Sequence, residues 1–310
     1  MIAGSSVEAI AGSGRLPPRP GRLYSLVGLM TFFWSANFLI GKIALREFPG
    51  PLAAALRILF AALASVPLCR WKTGNWGRWQ KRDGFILASL GAVGIGVNQF
   101  CFLVGLSKTS IAHSALIIGT TPISVLLIAA ARGMERITGL RLLGMLAALG
   151  GVALLGREHG AAAAGGAIPT LAGDLITFLA SAAFAAYIVF SKEVRRRYAA
   201  LPANAWLFGS AGVCVLPMAL WQGWRFPFSH VSAAGWLAIL YMAAFPSLFC
   251  YLVFYWALDY FAASRLSAFS YLQPVLATLL GVLLLGERIS APLLAGGAVI
   301  LGGVFLTERG

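Results

Sequence analysis

Carboxylates are scarce in this chain. Its 310 residues hold ten Asp and Glu against 24 Lys and Arg, and charged residues make up only 11%. Soluble domains carry about 25%, so an ordinary water-solvated globule is excluded. All ten carboxylates fall in a tail, a loop or the end of an apolar run. That removes the paired intramembrane aspartates of a membrane protease, and no zinc-protease motif or nucleophile elbow replaces them. His113-Ser114 lacks an orienting acid, so no catalytic residue is assigned and the chain reads as a non-enzyme. The four cysteines, Cys69, Cys101, Cys214 and Cys250, lie in or beside apolar segments, with no spacing that suggests a metal site or a disulfide framework. No cofactor is expected. Residues 1–22 lack the apolar core of a signal peptide and read as a flexible cytosolic tail. The net charge of +14 comes without a soluble basic face interleaved with aromatics, which excludes a nucleic-acid partner.

What the chain does have is long apolar runs. About 20 apolar residues cross the ~30 Å hydrocarbon core of a bilayer. By that measure the sequence predicts an all-α membrane protein of ten spans, near 24–45, 51–69, 84–106, 111–131, 139–156, 171–191, 204–222, 234–257, 262–285 and 290–307. With the N-terminus in the cytoplasm, 17 Lys and Arg fall inside and six outside. The positive-inside rule then places both termini in the cytosol.

The chain also repeats itself. Residues 135–155 and 287–307 match at 10 of 21 positions with an offset of 152, including Glu135 with Glu287, Gly144 with Gly296 and Gly150-Gly151 with Gly302-Gly303. The same offset puts Pro122 on Pro274. The reading is a first five-helix repeat over 23–156, an external linker over 157–170 and a second repeat over 171–310. Five is odd, so the second repeat enters the membrane inverted, a common plan of secondary transporters.

These features resemble the EamA family of the drug/metabolite transporter superfamily. The pattern carrying the resemblance is Pro–x(12)–Glu-Arg-[Ile/Leu]–x(6)–Gly–x(5)–Gly, met by Pro122, Glu135, Gly144 and Gly150 and again by Pro274, Glu287, Gly296 and Gly302. "WSANFLIGK" in the first span and Arg57 in the second add to it. The resemblance implies a carrier in the cytoplasmic membrane that moves a small metabolite such as an amino acid, often outward. The alternative it leaves is a flippase for a lipid or a lipid-linked sugar. The solute and the oligomeric state are not legible.

Polar groups at membrane depth are functional candidates by default. Trp34, Asn37 and Gly41 share one helical face, and Phe184, Tyr187 and Ser191 repeat that face at an offset of 150. Asn98 and Gln99 lie in the third span, Ser247, Tyr251 and Tyr255 in its counterpart. We assign Trp34, Asn37, Asn98, Tyr187, Tyr251 and Gln273 to a substrate cavity between the halves; interhelical hydrogen bonds are the competing role. Pro122 and Pro274 sit near the middle of spans four and nine, where a missing N–H kinks a helix, and are read as hinges or as packing kinks. Arg57 reads as a structural or snorkelling arginine, with contact to an anionic solute as the alternative. Lys42 and Lys192 read as snorkelling. Glu135 and Glu287 read as helix caps or turn locks, with a gating role as the alternative. Spans 5 and 10, apolar and small inside, are expected at the periphery. Without a midspan carboxylate, uniport or exchange is expected rather than proton drive, with His113 the weaker titratable candidate.

Overall fold

The computed structural model describes residues 18–73, 80–109, 114, 117–162, 170–195, 197–273, 275–276, 279–280 and 291–310. Among the described residues the apolar runs fold as helices, and no β-strand occurs. Helix α1 spans Pro20–Leu45 and α2 spans Gly50–Thr73. Helix α3 covers Lys81–Lys108. Next come α4, Thr121–Ala131, and α5, Gly139–Ala162. Then α6 spans Leu171–Arg195, α7 Ala200–Gly223 and α8 Ala233–Ala257. A short α9, Ala263–Ala268, runs into a 3₁₀ turn at Phe269–Tyr271, and α10 is Ala291–Arg309. Helix α1 takes in residues 20–22 of the expected tail, and α5 runs into the expected linker as far as Ala162. Among the described residues, six helices (α1, α2, α3, α6, α7 and α8) are long and apolar enough to cross a membrane. Leu63, Trp71, Phe85, Val213, Trp221 and Leu294 are all exposed. Such an apolar exterior suits lipid as solvent and would be a liability in water.

The helices pair across the chain. Helix α2 packs on α7, the second half of α3 on α6, α1 on α8, and α5 on α10. The α5–α10 contact is close because it is built on glycine: Gly144 meets the backbone of Gly303 and Thr307, and Gly151 meets that of Gly296 and Ile300. Among the described residues, none of α5 or α10 lines the cavity described below.

Helices α3 and α8 share a feature absent from the sequence reading. Each is interrupted by a seven-residue π-helical segment, Gly91–Val97 in one and Ala243–Phe249 in the other. The two segments are separated by the same 152 residues as the Glu-Arg-Ile echo. A π segment widens one turn of a helix and commonly marks a functional site. In α3 it lets the backbone approach its neighbours: a Cβ on Gly91 would fall 2.3 Å from the Leu207 carbonyl oxygen, and one on Gly94 2.4 Å from the Tyr187 Cβ. In α8 the segment contains Pro246, whose missing N–H favours a locally altered ladder.

Lys42 and Lys192 reach carbonyls rather than the interface. The Lys42 ammonium donates to the Leu106 and Thr109 carbonyls, at 2.6 and 3.0 Å, where α3 ends. Lys192 donates to the Phe261 carbonyl at 3.0 Å, just beyond α8. A cation at a helix C-terminus satisfies orphan carbonyls and meets the negative end of the dipole.

Clasps join the connecting loops. Asp83 accepts from Arg197 Nη1 at 3.0 and 3.1 Å and from the Tyr198 hydroxyl at 2.8 Å. Between α1 and α2, Glu47 accepts from the Ser232 backbone N–H and hydroxyl, each at 2.6 Å. The Ser232 hydroxyl and then its backbone N–H hold the Glu47 carboxyl below its ordinary value of 4.5. A carboxyl whose folded-state pKa is depressed contributes stability above its unfolded pKa, and that contribution is lost as pH falls through the folded value. Glu47→Gln is therefore expected to lower the thermal midpoint slightly at pH 7. The gap to wild type should close as the pH drops below 4.5. A gap that stays constant from pH 7 to 3.5 would show that the carboxylate charge has no part in the clasp.

Candidate functional site

A polar cavity lies among the helices, lined by residues of α1, α2, α3, α4, α6 and α8 together with Ser270 and Gln273, which follow α9. Of the six residues assigned to it from sequence, Trp34, Asn37, Asn98, Tyr251 and Gln273 stand on its wall. Tyr187 does not. It is fully buried behind Phe184, with the two rings stacked at 5.8 Å, because the glycine at position 94 lets α6 sink against α3.

Several wall residues are braces as well. Asn98 donates to the Ala180 carbonyl on α6 at 2.8 Å and accepts from the Tyr251 hydroxyl on α8 at 2.9 Å. The Trp34 indole N–H donates to the Pro246 carbonyl in the α8 π segment at 3.0 Å. Thr121 and Ser181 share a hydrogen bond at 2.7 Å between α4 and α6. The interhelical alternative therefore describes Asn98 and Trp34 in addition to their place on the wall. Trp34, Phe184 and Tyr251 pack edge-on to one another with centroids 5.7 to 6.1 Å apart, which gives the cavity an aromatic side.

The polar side is Arg57. The structure places it on the cavity wall, 3% exposed, and not at the interface as a snorkelling side chain. Its Nε donates to the Ser247 hydroxyl at 2.7 Å, and that hydroxyl donates to Gln99 Oε1 at 3.2 Å. Three buried atoms on this wall have no hydrogen-bond partner among the described residues: Arg57 Nη1, Gln99 Nε2 and Asn37 Oδ1. Gln99 was only a neighbour of the assigned Asn98 in the sequence. Its signal was an uncharged amide at membrane depth, one residue along the helix.

Pro122 is the second residue of α4, and Gly119-Thr120 form a turn before it. Proline opens this helix where its missing N–H costs nothing, after a turn that separates it from helical Ile117-Ile118, so the chain is broken here and not bent within one helix. Pro274, Glu287 and His113 lie outside the described residues. The cavity holds about 70 Å³, far less than the ~300–1,000 Å³ typical of ligand pockets. A metabolite would have to widen it. No group of His, Cys, Asp and Glu suited to a metal occurs among the described residues.

Apolar helices able to cross a bilayer, wrapped around a buried polar cavity, have the build of a multi-pass membrane transporter. The chain belongs to the EamA-like transporter family, whose model matches residues 22–157 and 171–309, and through it to the drug/metabolite transporter superfamily. It is 25% identical to the uncharacterized transporter YetK of Bacillus subtilis, over 96% of this chain and 89% of that one. An uncharacterized transporter of Archaeoglobus fulgidus is 28% identical over 92% of this chain and 98% of its own length. A solved structure described only as the crystal structure of a protein has the same fold. Its TM-score is 0.75 at 20% identity, covering 94% of this chain and 98% of the other.

Proposed function

We propose that the protein is a carrier of ten membrane spans in two inverted halves, moving a small metabolite such as an amino acid outward across the cytoplasmic membrane by alternating access. The observation that carries this reading is the cross-wise pairing of equivalent elements. The π segment of α3 packs on α7, and that of α8 packs on α2. Gly144 meets Gly303 while Gly151 meets Gly296, a reciprocal contact of repeat partners. A pseudo-two-fold axis in the membrane plane would produce such pairings, and it would let one central site face each side in turn. The excess of Lys and Arg in alternate loops supports cytosolic termini. Among the described residues no Asp or Glu stands on the cavity wall, which favours uniport or exchange over a proton relay.

Counterflow in proteoliposomes tests this. Vesicles preloaded with an unlabelled amino acid mixture should take up labelled solute transiently without any pH gradient, and a gradient supplied alone should drive no uphill accumulation. Uphill accumulation would replace exchange with proton coupling. Continuous ohmic current would indicate a channel. Scrambling of a labelled lipid without counterflow would replace the carrier by a flippase.

A further inference from the structure

Among the described residues the cavity wall holds one charged side chain and no carboxylate to balance it. Arg57 carries its charge at neutral pH, it is 3% exposed, and no carboxylate among the described residues lines the cavity. A buried charge without a partner is costly, and at membrane depth it marks a site by default. Two further details make this arginine more than a packing residue. Its Nε is tied to Ser247, which fixes the guanidinium fork, while Nη1 has no partner. The same Ser247 hydroxyl engages Gln99 through Oε1, which leaves the Gln99 Nε2 donor without one. One serine thus anchors two side chains and leaves a buried N–H donor free on each. Asn37 Oδ1, on the same wall, is a free acceptor.

Resting on the reading of this cavity as the transport site, we propose that Arg57 Nη1 and Gln99 Nε2 bind the carboxylate of the transported solute, with Asn37 Oδ1 taking a hydrogen-bond donor on that solute. A carboxylate matches the fork of an arginine and accepts from two donors at once. The solute donor is an ammonium if the solute is an amino acid and a hydroxyl if it is a hydroxy acid. The aromatic side of the cavity receives the apolar remainder.

The test uses the full-length protein in detergent and four compounds of one skeleton: leucine, 2-hydroxy-4-methylpentanoate, leucinamide and leucinol. Binding is read from the concentration dependence of the thermal midpoint, since a ligand of the folded state stabilises it by mass action. The expected result is stabilisation by one or both carboxylates, with the amide and the alcohol weaker by about 10-fold to 100-fold, the range that a hydrogen bond to a charged group supplies. Leucine alone would identify a zwitterion as the solute, and the hydroxy acid alone a simple anion. Arg57→Lys should weaken the carboxylates about tenfold while leaving the amide and the alcohol, which lack the carboxylate, unchanged. Gln99→Glu, which places a carboxylate beside Arg57, should abolish the preference for carboxylates even if Arg57→Lys fails to fold. Equal stabilisation by all four compounds, or none by either carboxylate, overturns the proposal. Carboxylate binding without counterflow would sink the carrier reading and leave this subsite standing. Counterflow with no preference for carboxylates would do the reverse.

Discussion

Leucine in place of Gly303 is expected to prevent the protein from surviving extraction into mild detergent, whereas leucine in place of its neighbour Gly302 is expected to leave it intact. A Cβ on Gly303 would stand 2.5 Å from the Gly144 carbonyl oxygen and 2.6 Å from the Ala148 nitrogen, while one on Gly302 meets nothing within 4 Å. The obstructing atoms at Gly303 are backbone, so no rotamer change relieves them and the helices would have to part. Small residues at such seams let backbones approach closely in lipid, where no hydrophobic force between helices replaces lost contact. Overpacking costs about 1–3 kcal/mol even where a core can adjust, and a leucine here exceeds that case. The partner helix predicts the same split between Gly151 and Gly150. A Cβ on Gly151 would lie 2.7 Å from the Gly296 carbonyl oxygen, and one on Gly150 meets nothing within 4 Å. Thermal unfolding and size-exclusion profiles of the four variants check it. Similar profiles for Gly302→Leu and Gly303→Leu would show that the seam is not where the structure puts it.

The second large effect is expected at Glu135. Its carboxylate accepts from Arg141 Nη1 at 3.2 Å and from the Ser264 hydroxyl and backbone N–H. Glu135 and Arg141 side chains are 7% and 8% exposed. The residue locks its own turn through Arg141. It also caps a helix, though not the α5 that follows it: Ser264 is in the first turn of α9. Glu135→Ala leaves Arg141 without its carboxylate and the α9 N-terminus without its acceptor. Removing one partner of a buried ion pair costs about 3–5 kcal/mol, enough to shorten the life of the folded protein in detergent severalfold or more. Glu135→Gln, which keeps an acceptor for Ser264, should fall between. Adding Arg141→Leu to Glu135→Ala should recover part of the loss, because the orphaned charge goes with it. A Glu135→Ala protein as long-lived as wild type would return this motif to the gating role.

Much of the arrangement was legible because it rests on local chemistry. A helical face carrying Trp34 and Asn37 needs only the 3.6-residue period, and the apolar, small-residue interiors of α5 and α10 placed them at the periphery, though not against each other. The family was legible in a few spaced residues. What stayed hidden depends on partners distant in the chain. Ser264 lies 129 positions from Glu135, and Ser247 lies 190 positions from Arg57. Nothing near either residue announces such a neighbour. The π segments have no common residue code, since one is built on glycines and the other contains a proline. Tyr187 shares the face of Phe184 by spacing, yet depth on a face is set by how closely the next helix approaches. Lys42 and Lys192 sat near helix ends, but whether an ammonium turns to water or to a carbonyl is decided by the helix beside it.

Arg57 also gives the protein an electrical asymmetry. In the proposed two-repeat plan its counterpart at an offset of 150 is Leu207, so the proposed halves differ by one positive charge at this position. A transmembrane voltage acts on such a charge with about 2.3 kcal/mol per 100 mV across the full field. If the halves rock, any change in the depth of Arg57 becomes gating charge. A solute whose only charge is a carboxylate on Arg57 would cancel it, so the field would act on the empty carrier and spare the loaded one. The membrane potential would then govern how fast the protein resets, and with it the turnover, without entering the loaded translocation step.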